Sequence, residues 1–276
     1  MTGNKPIVVA TDLTARSDRP FARAVDMARA RNCSLVLIHV IEGRSRTEET
    51  RLAEQAERAV ERLTRGLTVP VTARLGYGSA PEVIAAMSAD LDAAAIVVGA
   101  ARYNHVSDFF LGTAVDHLVR HATMPVLVVK ERPAGPYDHL LVGTDFSDNS
   151  MRALLAAADL FPQVPITLVH AYDRVMPHRL GEDISSEVAS QWAGDAMAKF
   201  LAQSALDPLR NRLSARSLEA TVPKAMSQAA EGSEEPLAVI GTHGLSASAQ
   251  ILLGSQASDL LAAIPLDILI VRSEHF

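Results

Sequence analysis

The stretch "GTHGLSASAQILLGS", Gly241 to Ser255, sets three glycines in the pattern G-x2-G-x9-G and closes them with a hydroxyl residue. Placed between a strand and a helix, that spacing suits an anion. A glycine at a strand end presents backbone without a Cβ, so a ligand can approach it. Gly244 can take a positive φ and turn amides inward. Gly254 and Ser255 would open a helix, where unpaired N–H groups and the helix dipole favour phosphate. Ser255 adds a hydroxyl donor. The pattern is neither a Walker loop, which needs Gly-Lys-Ser/Thr, nor a G-x-G-x-x-G fingerprint. His243 sits inside the loop, where it either touches phosphate or ribose or faces solvent.

An earlier stretch, "GAARYNHVSDFFLGT", keeps Gly99, Gly112 and Thr113 but puts Arg102 at the middle glycine. A side chain there takes positive φ with difficulty and would protrude into the cradle. Arg102 either occupies the phosphate position itself or swings out and grips phosphate from the side. Two carboxylates also stand at strand ends, Asp12 in "IVVATDLT" and Asp145 in "LLVGTDFS". Asp145 can accept from an exocyclic amine. The run "TDFSDNS" reads equally as a helix cap with Ser147 or Asp148 starting the next helix. His39 and His170 end apolar strands and read as satisfied, buried histidines. His117 and His121 lie four apart on one helix face, without a third ligand that would make a metal site.

These residues recur because the chain repeats. Pro81 and Pro223, Gly99 and Gly241, and Gly112 and Gly254 are each 142 apart, while Asp12 and Asp145 are 133 apart. His39 and His170 are 131 apart, so the second copy has gained eleven residues between His170 and Pro223. Within each copy, short apolar β-branched runs alternate with helical patterns, the signature of a parallel sheet with crossover helices. The runs lack period-two alternation, as strands buried on both faces do. In the first copy, strands are expected near Pro6–Thr11, Ser34–Val40, Val71–Leu75, Ala95–Gly99 and Val126–Lys130. Helices are expected near Arg19–Arg31, Glu48–Arg65, Ala80–Ala89 and Thr113–His121. The second helix gathers Leu52, Ala56, Ala59, Val60 and Leu63 on one face. Its opposite face, Glu48, Glu49, Arg51, Glu54, Glu57 and Arg58, is a solvated one. The inserted segment leads into a longer helix near Ser185–Leu206. The prolines of "KERPAGPYDH" place a boundary near Arg132–Tyr137. The expected domains are residues 1–132 and 137–276.

Composition narrows the partners. The net charge is −6 and no long Lys/Arg run exists, which argues against nucleic acid and anionic membrane surfaces. Aromatics make up 4%, so stacking platforms for single strands are few. The single cysteine, Cys33, cannot form an internal disulfide or a cysteine zinc site. No run of about 18 apolar residues would span a membrane. The start carries no signal-peptide core, and the expectation is a cytoplasmic protein.

The glycine spacing, the Asp ending strand one and the His ending strand two resemble those of the universal stress protein family, and the likeness covers nearly the whole chain as two fused copies. The resemblance implies two tandem Rossmann-like α/β domains of the adenine nucleotide alpha hydrolase type. Each would be an open five-stranded parallel sheet flanked by helices, and the pair would form an internal pseudo-dimer. Members with the intact motif bind ATP. By resemblance, Asp145 and the backbone around Ala171 would read adenine. Gly241 and Gly244 would lie along ribose and phosphates, and Gly254 and Ser255 would hold phosphate oxygens, with or without Mg2+. No catalytic or metal-ligating residue is assigned, and turnover is expected to be slow or absent. A slow ATPase, a self-phosphorylating protein and an interaction module without nucleotide are the alternatives. A homodimer and a further protein partner are also expected.

Overall fold

The computed structural model describes residues 5–43, 45–102, 109–110, 112–172, 186–242 and 262–272. The chain divides into two compact units, the break falling between Pro136 and Tyr137. The first unit runs β1 (Ile7–Ala10), α1 (Asp18–Arg31), β2 (Leu35–Ile41), α2 (Arg46–Thr64), β3 (Val71–Tyr77), α3 (Ala80–Asp90), β4 (Ala95–Gly99), the two-residue strands β5 (Ala101–Arg102) and β6 (Phe109–Phe110), α4 (Gly112–His121) and β7 (Val126–Val129). The second runs β8 (His139–Gly143), α5 (Asp148–Leu160), β9 (Ile166–Tyr172), α6 (Ser186–Leu201), β10 (Leu213–Glu219), α7 (Val222–Ala229), β11 (Pro236–Gly241) and β12 (Asp267–Val271).

Five strands of the first unit pair in parallel in the order β7-β4-β1-β2-β3. The second unit repeats the plan as β12-β11-β8-β9-β10. The central strands are apolar throughout because helices cover both faces. Val8, Val9, Val97 and Leu127 are fully buried in the first sheet, as are Leu140, Val142, Ala238 and Leu269 in the second. The edge strand β3 instead exposes Thr72, Ala73 and Arg74.

Helix faces follow the expected period. Phe21, Ala24, Val25 and Ala28 of α1 are buried against the sheet. That helix stops at Asn32, whose φ of 49° lets its N–H reach the Ala28 and Arg29 carbonyls. On α2, Ala56 and Val60 are buried while Glu54, Glu57 and Arg58 face water. Ala153, Leu154 and Ala157 of α5 are fully buried, and α5 packs on β8, β11 and β12. Truncating Leu154 to alanine would cost about 3 kcal/mol. The end of α5 is closed from outside the helix. Arg212 donates to the carbonyls of Val164 at 2.7 Å, Phe161 at 2.9 Å and Ala158 at 3.0 Å.

The helix expected over Ser185–Leu206 is shorter, ending at Leu201. A 3-10 segment, Ser204–Arg212, follows it and contains Pro208. Proline lacks the N–H that an α-helix needs and disfavours α geometry in the residue before it.

Candidate functional site

In this strand order the chain reverses direction between β8 and β11. Such a switch point opens a crevice at the carboxyl ends of the strands. A cleft of about 400 Å3, counting its open mouth, lies there in the second unit. Gly143, Thr144 and Asp145 leave β8 along one side, and Ile240 and Gly241 end β11 on the other. Val169 and Ala171 of β9, Val222 and Met226 of α7, and Ser150 of α5 complete it. The lining is apolar apart from Asp145 and two hydroxyls.

The loop after β8 is tied by its own side chains. Thr144 Oγ1 accepts the Phe146 N–H at 2.9 Å, and Asp145 Oδ1 accepts the Ser147 N–H at 3.1 Å. These overlapping turns hold Phe146 at a φ of 67°, rare for a residue with a Cβ. The Ser147 hydroxyl donates to Asp145 Oδ1 at 2.6 Å and accepts the Ser150 N–H at 3.2 Å, so Ser147 caps α5. The Ser150 hydroxyl donates to the Ser147 carbonyl at 2.8 Å and lies 2.9 Å from Thr144 Oγ1. Asp145 therefore supports the cap with one oxygen. Among the described residues nothing donates to its other oxygen, Oδ2.

Ala171 offers backbone to the same crevice. Residues of a parallel strand alternate between their two neighbours. The Val169 carbonyl accepts from Thr144 N–H at 3.0 Å, while the Tyr172 carbonyl accepts from Ala220 N–H at 3.0 Å. The Ala171 peptide groups thus face the side of β8, which has already ended at Gly143. The His170 side chain lies on the opposite face of the strand from that of Ala171. Its Nδ1 lies 2.9 Å from the Thr144 carbonyl, which can only accept, so Nδ1 carries the proton. Its ring packs 4.3 Å from that of Phe146. The expectation of a satisfied histidine fits this geometry.

Gly241 has a packing role in addition to the one its position suggested. A Cβ there would meet the Asn149 carbonyl oxygen at 3.2 Å and Ala153 Cβ at 3.5 Å. The missing side chain lets the first turn of α5 close onto β11. The residue borders the cleft through its backbone. Its counterpart Gly99 faces Pro20 of α1 in the same way, at 3.4 Å. Gly143 was not foreseen at all. A Cβ on it would lie 2.9 Å from Met226 Cε. Its signal was a strand-final glycine that the first copy lacks, since Ala10 stands at the matching position.

The first unit repeats the loop with changes. Leu13 holds a φ of 58°, its N–H bonded to Thr11 Oγ1 at 3.0 Å. His39 Nδ1 lies 2.9 Å from the Thr11 carbonyl. Asp12 Oδ1 accepts the Thr14 N–H at 2.9 Å and both the Thr14 and Ser17 hydroxyls, at 2.8 and 2.6 Å. Burial pushes the Asp12 carboxyl up, but the bonds from Ser17 and Thr14 outweigh it and hold the carboxyl below the usual aspartate value. Asp12 is exposed where Asp145 is half-buried.

Arg102 escapes the strain that its place in the motif suggested. Its backbone is extended in β5, paired antiparallel with β6 through Arg102 and Phe109. The first loop therefore begins and ends as a hairpin, which needs no positive φ at residue 102. His243, Gly244, Gly254, Ser255 and residues 173–185 of the inserted segment lie outside the described residues. His117 and His121 stack at 4.1 Å, with His121 Nδ1 against the His117 carbonyl at 2.8 Å. Among the described residues no helix is long and apolar enough to cross a membrane.

Two tandem α/β units with the same strand order, each carrying a Thr-Asp turn after its first strand, define a duplicated Rossmann-like protein. The sequence model of the universal stress protein family matches residues 3–130 and again 136–272, and the chain belongs to that family. A universal stress protein of Staphylococcus saprophyticus is 27% identical over 139 residues, 46% of this chain and 83% of its own length. The crystal structure of a universal stress protein from Archaeoglobus fulgidus superposes with a TM-score of 0.65, covering 97% of this chain and 96% of that one. At 13% identity it shares the fold. A smaller universal stress protein of the same organism, solved with dAMP, is 25% identical over 45% of this chain and 97% of its own, at a TM-score of 0.38.

Proposed function

We propose that the second unit binds an adenine nucleotide, ATP by the family's motif, and that the chain is a nucleotide-responsive stress or signalling protein. The observation that carries the reading is that Asp145 and the backbone of Ala171 border the same apolar cleft. A carboxylate accepts from the exocyclic amine of adenine and repels the carbonyl oxygen that guanine has in its place. The neighbouring peptide supplies a donor and an acceptor for the rest of the base edge. Val169, Val222, Met226 and Ile240 suit the faces of a purine.

Phosphates would lie along Gly241 and Gly244 and end on Gly254 and Ser255, at a helix start where N–H groups favour anions. Mg2+ would enter as the counter-ion of the triphosphate. The first unit, residues 1–132, carries the degenerate motif, and the second, 137–276, the intact one. One nucleotide per chain is the expected stoichiometry. The site is proposed to act in the cytoplasm through a partner surface, a second copy or another protein, with at most slow hydrolysis.

The test is denaturation of freshly purified protein with mass spectrometry of released small molecules, followed by calorimetric titration of emptied protein with ATP. One adenine nucleotide per chain supports the reading. Two would assign the first unit as a working site. Protein that comes empty and ignores ATP would leave the glycines as turn residues.

A further inference from the structure

We propose that Met226 determines which bases the cleft accepts, because its side chain forms a movable wall over Gly143. The inference rests on the adenine-nucleotide reading. Gly143 closes β8, and a Cβ on it would lie 2.9 Å from Met226 Cε. The terminal methyl of Met226 therefore fills the volume of the side chain that Gly143 lacks. Met226 reaches there from α7, is 1% exposed, and borders the cleft that holds Asp145 and Ala171.

An unbranched thioether with three rotatable bonds can reshape its contact surface. Val222 and Ile240, the β-branched neighbours in the cleft, are stiff at χ1. Sulfur also favours the edges of aromatic rings, which a purine would present. The first copy carries Ala10 and Ile84 at the matching positions. At these positions the first copy has a Cβ and a branched, rigid residue, and the second has no Cβ and a flexible one. Both members of the pair differ together, and only the second unit gains an adjustable wall.

The direction of movement follows. On the sheet side, the Val239 carbonyl oxygen is 3.6 Å from the same Cβ position. A methyl added at residue 143 pushes Met226 away from the sheet and into the cleft, the nearest free volume. The space for a base shrinks, and removing the Met226 side chain restores it.

The experiment measures ATP, GTP and an N6-alkylated ATP by calorimetry on wild type, Gly143→Ala, Met226→Ala and the double variant. The methionine methyl signals of wild type are followed by 13C NMR during the ATP titration. Gly143→Ala is expected to fold and to bind ATP about tenfold more weakly, the consequence of overpacking. The same substitution in the Met226→Ala background is expected to change ATP affinity by less than about threefold, since the two residues act through one contact. Met226→Ala should also accept the N6-alkylated ATP better, relative to ATP, than wild type does. A full tenfold loss from Gly143→Ala without Met226 would overturn the proposal, because the new Cβ itself would then block the base. So would ATP binding that leaves the Met226 methyl signal unmoved, a readout that needs no variant to fold. Wild type that binds no ATP removes the nucleotide reading together with this one, whereas binding with an unmoved methyl removes this one alone.

Discussion

Asp12 and Asp145 stand at the same place in two copies of one loop, and their surroundings have parted. In the first copy Ser17 turns its hydroxyl onto Asp12, which then receives three hydrogen bonds on one oxygen and sits exposed. In the second, Ser150 turns instead toward Thr144 and the Ser147 carbonyl, and Asp145 stays half-buried against a cleft. One rotated serine separates an exposed carboxylate with three bonds on Oδ1 from a half-buried one with two, which borders a cleft. The glycine loops diverge in the same sense. Arg102 is drawn into a short hairpin, while the second copy keeps the glycine spacing. Duplication preserved the scaffold of both units and left the loops at their strand ends to change independently.

The sharpest way to break this comparison is to neutralise each carboxylate. Asp145→Asn is expected to weaken ATP binding by roughly ten- to hundredfold, the loss of a charge-assisted hydrogen bond worth about 1.5–3 kcal/mol. Asp12→Asn should leave both affinity and stoichiometry unchanged in the same calorimetric titration. Equal losses from the two would mean that the units share the work.

Thr144→Val tests the buried hydroxyl that fixes the positive φ of Phe146. It strands the Phe146 N–H and removes one of the two partners of the Ser150 hydroxyl, and a cost of about 2 kcal/mol is expected in urea denaturation. Thr11→Val, which strands only the Leu13 N–H, should cost about 1 kcal/mol.

Acid acts on a carboxylate in each unit. The folded-state carboxyl of Asp12 lies below its unfolded value, so its contribution is fully present above the unfolded value and disappears as pH falls through the lowered one. Asp138 of the second unit behaves alike. Burial pushes it up, but bonds from the Ser233 hydroxyl and the Glu234 and Glu235 amides outweigh that and lower it. Melting curves at pH 5 and pH 3 should show a smaller acid loss for Asp12→Asn and for Asp138→Asn than for wild type. Identical acid slopes in wild type and variants would count against these contacts. The smallest effect is expected from Ser17→Ala, which should move the Asp12 titration, followed by carboxyl NMR, up toward the ordinary value.

The repeat, the strand and helix order and the placement of both aspartates could be read from the sequence, because buried parallel strands and amphipathic helices leave local periodic signals. Ser147 was legible as a cap for the same reason, its partners being two and three residues away. The hairpin at Arg102, the facing of Gly241 toward Asn149 and the meeting of Gly143 with Met226 were not legible. Each joins side chains or backbone whose distance depends on how a helix settles on a sheet, and one ångström of that packing decides whether a glycine serves a ligand or a neighbouring helix. The sequence by itself determined which residues could carry a nucleotide. Only the tertiary structure decided that Asp145 stands half-buried beside a cleft while Asp12 is exposed and takes a third bond from Ser17, because both outcomes rest on how the strand ends pack and which way a single serine hydroxyl turns.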